Sequence, residues 1–445
     1  MKTKQGLIGL LTLLLSGGLS IFLGLGISRS IPGGTVDFQV VYYATRCLMN
    51  HHDPYKLSDL KAVYVEEARH VPAGDIDRPE AVTWFIYLPT LFPVIAPFAL
   101  LDWSLAHWLW ILIIIGGLYS GAILMWCVAA RWAPGVALAL TSLLLANSEV
   151  LIGGGNAAGL AVSLCVFAAW CFLKEKYGIA GAICLALSLL IKPHDGGLVW
   201  LYFVLAGGSC RRRALQALAI AAILGAGALA WVSQVSPRWR PEWHANVEAI
   251  TASGNTSDPG AISEKDRRVA GTVIDLQAVV AIFWRDARIY DSASYAVCGS
   301  LLLLGALSTL RSRMTTQRLW LGLATIVPLT MLATYHRPYD ARLMLLTIPA
   351  CAMIAAQRGP LGRAAIVLTG CAIACTGDLT QAALDSLLNG LRADPTTMGG
   401  KITVLLFTRT GSMTLLAMSV FYLWLYLRST DHGLQASALT QSPAS

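Results

Sequence analysis

The sequence predicts an all-α polytopic membrane protein, and three observations predict it. The composition is 56% hydrophobic and only 13% charged, with a mean hydropathy of +0.61, well outside the usual composition of soluble domains. About twelve apolar stretches are long enough to cross a bilayer, some of them only when flanked by interfacial residues. Lys and Arg, which leave a net charge of +8, collect in alternate loops, as the positive-inside rule produces. The positive balance is therefore assigned to topology, and no nucleic-acid partner is expected.

The first span is read at 6–27. Met1-Lys2-Thr3-Lys4 before an apolar run looks like a secretory leader. The run is too long and lacks a small-x-small cleavage site, so an uncleaved anchor is expected. A long outward loop, about 28–103, follows. Inside it, Trp84 to Leu101 is apolar but carries Pro89, Pro93 and Pro97, which predicts a broken interfacial or re-entrant helix rather than a crossing.

Further spans are read at 104–129, 133–151, 156–173, 177–192, 195–208, 214–234, 292–310, 317–334, 341–357, 362–377 and 402–427. A second long outward loop covers about 235–291. Residues 1–428 form one transmembrane domain, and 429–445 a short disordered cytoplasmic tail. With the N-terminus inside, Arg131, Lys174, Lys176, Arg211, Arg212, Arg213, Arg311, Arg313, Arg358, Arg363 and Arg428 all fall in cytoplasmic loops. The ten cysteines lie almost all in apolar spans and read as small packing residues. Only Cys47 falls in a polar segment, so no disulfide framework or metal cage is expected.

Chemistry is expected in the outward loops, which hold the remaining carboxylates and histidines. Asp37 lies about ten residues beyond the first span, at the head of an aromatic-rich stretch with Tyr42 and Tyr43. A carboxylate there can meet both a lipid head group and a hydroxyl, although Asp is also a good helix N-cap. Lys192-Pro193-His194-Asp195 sits where a helix must end before proline. A Lys at an outward helix end opposes the positive-inside bias, and a lipid phosphate is a natural partner; a lysine snorkelling to the head groups is the plainer reading. Tyr335-His336-Arg337-Pro338-Tyr339-Asp340 is a third outward turn, with His and Arg to neutralise a phosphate and Asp340 to orient them. Gly153-Gly154-Gly155-Asn156 reads as a tight turn and not a phosphate loop, since no Gly-Lys-Ser follows. In the second long loop, Trp239, Trp243, Arg267, Arg268, Asp275 and Trp284 are candidates to cap a cavity or stack on a sugar. Among them, Asp275-Leu276-Gln277 is placed nearest the site. Zinc-ligand spacing, a nucleophile elbow and a dinucleotide fingerprint are all absent.

Asp37-Phe38, Val41-Tyr42-Tyr43-Ala44, Asp53-Pro54-Tyr55, Tyr87-Leu88-Pro89, Gly155-Asn156, Lys192-Pro193 and His336-Arg337-Pro338-Tyr339-Asp340, in that order, resemble glycosyltransferase family 87. The resemblance runs from about 35 to 360. It implies the GT-C glycosyltransferase fold with outward juxtamembrane helices. The implied activity moves a hexose, usually mannose, from a polyprenyl-phosphate carrier to a glycolipid or glycan acceptor. The reaction is inverting and faces the extracytoplasmic (periplasmic) side of the inner, plasma membrane. Asp37 matches the family's catalytic base and His336 its later histidine. Lys192, His194 and Arg337 would bind the donor phosphate, and Tyr42, Tyr87, Asn156, Asp275, Gln277, Tyr339 and Asp340 the substrates. Asp37 is followed by Phe38 where many relatives carry a second acid, so no metal and no cofactor is expected. The alternative class is a transporter or flippase of a lipid-linked sugar. That class predicts mid-membrane acids and inverted repeats; the spans hold almost no central acids, Glu149 lying toward an end, and no repeat is seen.

Overall fold

The computed structural model describes residues 3–30, 35–67, 82–255, 257–261, 273–391 and 394–429. Among them every regular element is helical. Arg267, Arg268 and the tail from 430 lie outside the described residues.

Five helices are long and apolar enough to cross a membrane: Gly6–Ser30, Trp103–Ala129, Gly208–Val235, Ala287–Arg311 and Thr410–Arg428. A sixth crossing is possible if Pro360–Cys375 and Asp378–Leu391, bent by 74°, form one broken span. Shorter apolar helices fill the interior, among them Pro134–Ala146, Ala158–Leu173 and Gly178–Ile191. Several apolar helices of this kind make a multi-pass membrane protein. Their outer faces remain apolar, with Leu15, Phe22, Ile223 and Leu303 exposed, as side chains facing lipid should be.

Three of the expected continuous spans are broken, each for a visible reason. The 133–151 stretch divides into Pro134–Ala146 and Glu149–Gly154. The buried guanidinium of Arg342 donates to the carbonyls of Leu144 and Asn147 there, replacing the hydrogen bonds of a continuing helix. The 341–357 stretch begins as a 3₁₀ helix, Pro338–Thr347, and becomes α-helical only at Ile348–Ala355. Pro349 opens that helix, where its missing N–H is harmless. The 402–427 stretch is two helices, Met398–Thr408 and Thr410–Arg428. At their junction Arg409, 2% exposed, reaches the carbonyls of Pro259 and Ala261.

The proline-rich 84–101 stretch is a 3₁₀ turn, Pro89–Leu91, and a two-turn helix, Phe92–Ala99. It is too short to cross. The 28–103 segment also contains helices Val36–Met49 and Leu57–Glu67. Val36–Met49 buries Phe38, Tyr42 and Tyr43 among Trp103, Trp110 and Phe98. Cys47, read as lying in a polar segment, is fully buried on that helix.

The first span packs on Glu149–Gly154 through glycines. A Cβ at Gly153 would stand 2.9 Å from the carbonyl oxygen of Gly24. That close approach brings the start of Val36–Met49 over the 153–156 turn.

Candidate active site

Glu149–Gly154 ends at Gly155, whose φ of 61° is left-handed and which caps the helix. The chain then turns at Asn156, which bonds at both ends of its amide. Its oxygen accepts from the N–H of Ala158 at 2.9 Å, and its nitrogen donates to Oδ2 of Asp37 at 2.9 Å. The indole of Trp110 holds the turn by donating to the Gly155 carbonyl at 2.7 Å. Asp37 lies in the first turn of Val36–Met49, and Thr35 is the residue at the cap position. The carboxylate is therefore free of the capping role.

Gly178–Ile191 stops where Pro193 forbids its continuation, leaving Lys192 extended at φ −150°, ψ 81°. The Lys192 ammonium, 6% exposed, bonds Oδ1 of Asp340. It also lies 3.8 Å from Oδ2 of Asp195 and 5.2 Å over the ring of Tyr339. Oδ2 of Asp340 accepts from the Arg337 backbone N–H at 2.8 Å, which fixes the 337–340 turn. The Arg337 side chain bonds the Tyr335 hydroxyl.

These turns converge on Asp37. Burial raises its carboxyl above the ordinary 3.8, opposed first by the Asn156 hydrogen bond and then by the charges of Arg337 and Lys192. Tyr87 sits in the same field: burial raises its phenol, and Lys192, Asp37 and Asp340 all act on it. Asp37 thus lies in the field of the two cations Lys192 and Arg337, which it shares with Asp340.

His336 is wholly buried. Its Nδ1 is 2.8 Å from the carbonyl of Thr334, and its Nε2 stands 3.2 Å from Oδ1 of Asp195. Burial alone would lower this imidazole, but the Asp195 carboxylate reverses that and raises it. His194 packs 4.9 Å away, ring to ring. Its side chain is 37% exposed, and the surrounding protein, with Lys192 and His336, keeps it neutral well below the usual range.

The remaining expected residues stand farther back. The Tyr42 hydroxyl donates to the Leu101 carbonyl at 2.7 Å, within the aromatic cluster and not toward Asp37. Asp275 caps the short helix Leu276–Val280 by accepting from Ala278, and burial pushes its carboxyl up to about 6. It is tied to the site through the Ile274 N–H, which donates to the His336 carbonyl at 3.0 Å. The amide of Gln277 is taken by Asp291 at 2.8 Å. Trp239 and Trp243 do not stand open for a sugar. Trp239 packs near Tyr55, and Trp243 donates to the Ile86 carbonyl at 2.7 Å. Asn246 adds bonds to the carbonyls of Tyr55 and Phe85. Helix Trp239–Thr251 thus clamps the strand-like segment that presents Tyr87.

Sequence reasoning underused Asp195, which stood within a flagged motif, and missed Arg342. A buried arginine in a predicted span was the available signal.

Residues 85–304, just under half of the chain, match the model of glycosyltransferase family 87. This is the family that the motifs resemble. The match takes in Tyr87, Asn156, Lys192, His194, Asp275 and Gln277 and leaves Asp37 and the 335–340 turn outside it. Together with the apolar helices, it implies a membrane glycosyltransferase. No curated protein and no solved structure matches the chain.

Proposed function

With glycosyltransferase family 87 as the premise, we propose that this chain transfers a hexose, in the first instance mannose. The donor is a polyprenyl phosphate and the acceptor a hydroxyl on a glycolipid or glycan. The reaction faces the extracytoplasmic side of the inner membrane, in a single GT-C domain. The observation that supports the reading is one carboxylate, Asp37, oriented by Asn156 and lying in the field of Lys192 and Arg337.

Asp37 acts as general base. It takes the proton of the acceptor hydroxyl while that oxygen attacks the anomeric carbon, a contribution of about 10²–10⁴-fold. The new glycosidic C–O bond forms as the bond from the anomeric carbon to the phosphate oxygen breaks. The departing polyprenyl phosphate keeps the electron pair. Displacement in one step inverts the anomeric centre. Lys192, Arg337 and the open face of His194 hold the phosphate charge, already fixed in place before it develops. Tyr87 and Tyr339 flank the sugar. His336, with no exposed surface, works through Asp195 and His194 and not by touching substrate. Asn156 and Asp340 position Asp37 and Lys192, while Asp275 and Gln277 support the wall behind His336.

The test is transfer from synthetic polyprenyl-phosphate mannose to a panel of acceptors by purified protein in micelles. Asp37→Asn should abolish transfer and leave donor binding intact. Near-normal turnover in that variant would remove Asp37 as the base.

A further inference from the structure

His194, Asp195 and His336 offer one ligand atom each, all within 4.8 Å of one another. Oδ1 of Asp195 is 3.2 Å from Nε2 of His336 and 3.9 Å from Nε2 of His194. A second observation points to a missing ligand. Both oxygens of Asp195 and Nε2 of His336 are wholly buried and, His194 apart, meet only one another, at 3.2 Å, and the Lys192 ammonium, at 3.8 Å, with no well-formed hydrogen bond among the described residues, an arrangement costly to maintain in a protein interior.

The groups behind these side chains fit as well. With Nδ1–H donated to the Thr334 carbonyl at 2.8 Å, His336 presents Nε2 toward Asp195, the nitrogen on which a metal would take the place of a proton. This is how metal-bound histidines are usually held. The two oxygens of Asp195 divide their surroundings: Oδ2 faces the Lys192 ammonium and Oδ1 faces both imidazoles.

We propose that His194, Asp195 and His336 bind a first-row divalent transition cation through Nε2, Oδ1 and Nε2. Its free coordination positions lie on the open side marked by His194. Two imidazoles and one carboxylate favour Zn²⁺ or a neighbouring transition ion over Mg²⁺, which prefers oxygen. Bonds of about 2.1 Å need ligands about 3–3.5 Å apart, so the exposed His194 ring has about 1 Å to travel.

The inference rests on the transferase reading only in naming a sugar phosphodiester as the anion that completes the shell; the cation site stands without it.

The experiment is a calorimetric titration of ZnCl₂ into chelator-stripped full-length protein in micelles, with MgCl₂ as comparison. One Zn²⁺ per chain is expected, with no matching Mg²⁺ site. Affinity should fall at least about tenfold in Asp195→Asn, His336→Gln and His194→Ala, and stay unchanged in Asp37→Asn. His194→Ala alters only an exposed ring, so it reports on binding even where the buried variants fold poorly. Absence of a saturable Zn²⁺ site in the wild type, or equal affinity in His194→Ala, overturns the proposal. A short-chain polyprenyl phosphate should bind the Zn²⁺-loaded protein at least tenfold more tightly than the stripped protein. Equal binding removes the phosphate as the completing ligand. The transferase reading is judged separately, by Asp37→Asn turnover.

Discussion

Asn156 donates its side-chain amide to Oδ2 of Asp37 at 2.9 Å, joining positions 119 residues apart. A hydrogen bond to a charged acceptor contributes about 1.5–3 kcal/mol, and this one also aims the carboxylate. Asn156→Ala should therefore lower kcat about ten- to a hundredfold with donor affinity unchanged. Steady-state kinetics against both substrates will show it, and a loss carried by KM alone would contradict the positioning role.

The pH dependence follows from the sign of each influence on Asp37. Burial raises this carboxyl above 3.8, and Arg337 lowers it. In the proposed role Asp37 works only when ionised, so transfer should be lost as pH falls, at a higher pH than an ordinary Asp would give. Removing the Arg337 charge takes away a lowering influence. Arg337→Gln should thus move the acid limb of kcat/KM to still higher pH, and a limb that stays put would argue against Asp37 as the titrating group.

Gly154 lies directly under the Asp37 carboxylate: a Cβ there would stand 3.0 Å from Oδ2 of Asp37. Gly154→Ala must displace the carboxylate by a few tenths of an ångström. A drop of about tenfold in turnover is expected, since small misplacements of a reacting group are expensive. Thermal unfolding should scarcely change, which separates this effect from loss of fold.

Arg342 is 1% exposed and donates to the carbonyls of Leu144, Asn147, Pro338 and Thr376. Arg342→Ala takes a buried donor from each of these carbonyls, with Leu144 keeping the Ser148 hydroxyl at 2.9 Å, and an acceptor left buried and unpaired costs about 1–3 kcal/mol. A marked fall in unfolding temperature should result, larger than that of any variant at Asp37. Arg342→Lys, with fewer donors and no planar fork, should recover only part of it.

Much of the helical content was legible because apolar runs of bilayer length announce themselves. The prolines of 84–101 correctly signalled a broken, short helix. The turns at 156, 192 and 336–340 were legible too, each marked by Gly, Pro or an out-of-place cation. What escaped was the breaking of spans at residues 147 and 409. Hydropathy averages over a window, so one buried arginine taking over carbonyls several residues or a whole helix away leaves little trace. The pairing of Lys192 with Asp340, 148 positions apart, is likewise invisible in a single chain. The same is true of Tyr42, whose aromatic neighbours decide that it packs inward.

Helix Trp239–Thr251 grips residues 85 and 86, next to Tyr87, through Trp243 and Asn246. The long second loop is consequently not an interchangeable module. A chimera that imports another protein's 235–291 segment to alter acceptor choice would unmoor Tyr87 unless it brings an indole and an amide in the same register. Retargeting of this protein should begin from point changes along the outer edge of that helix, with its inner face kept whole.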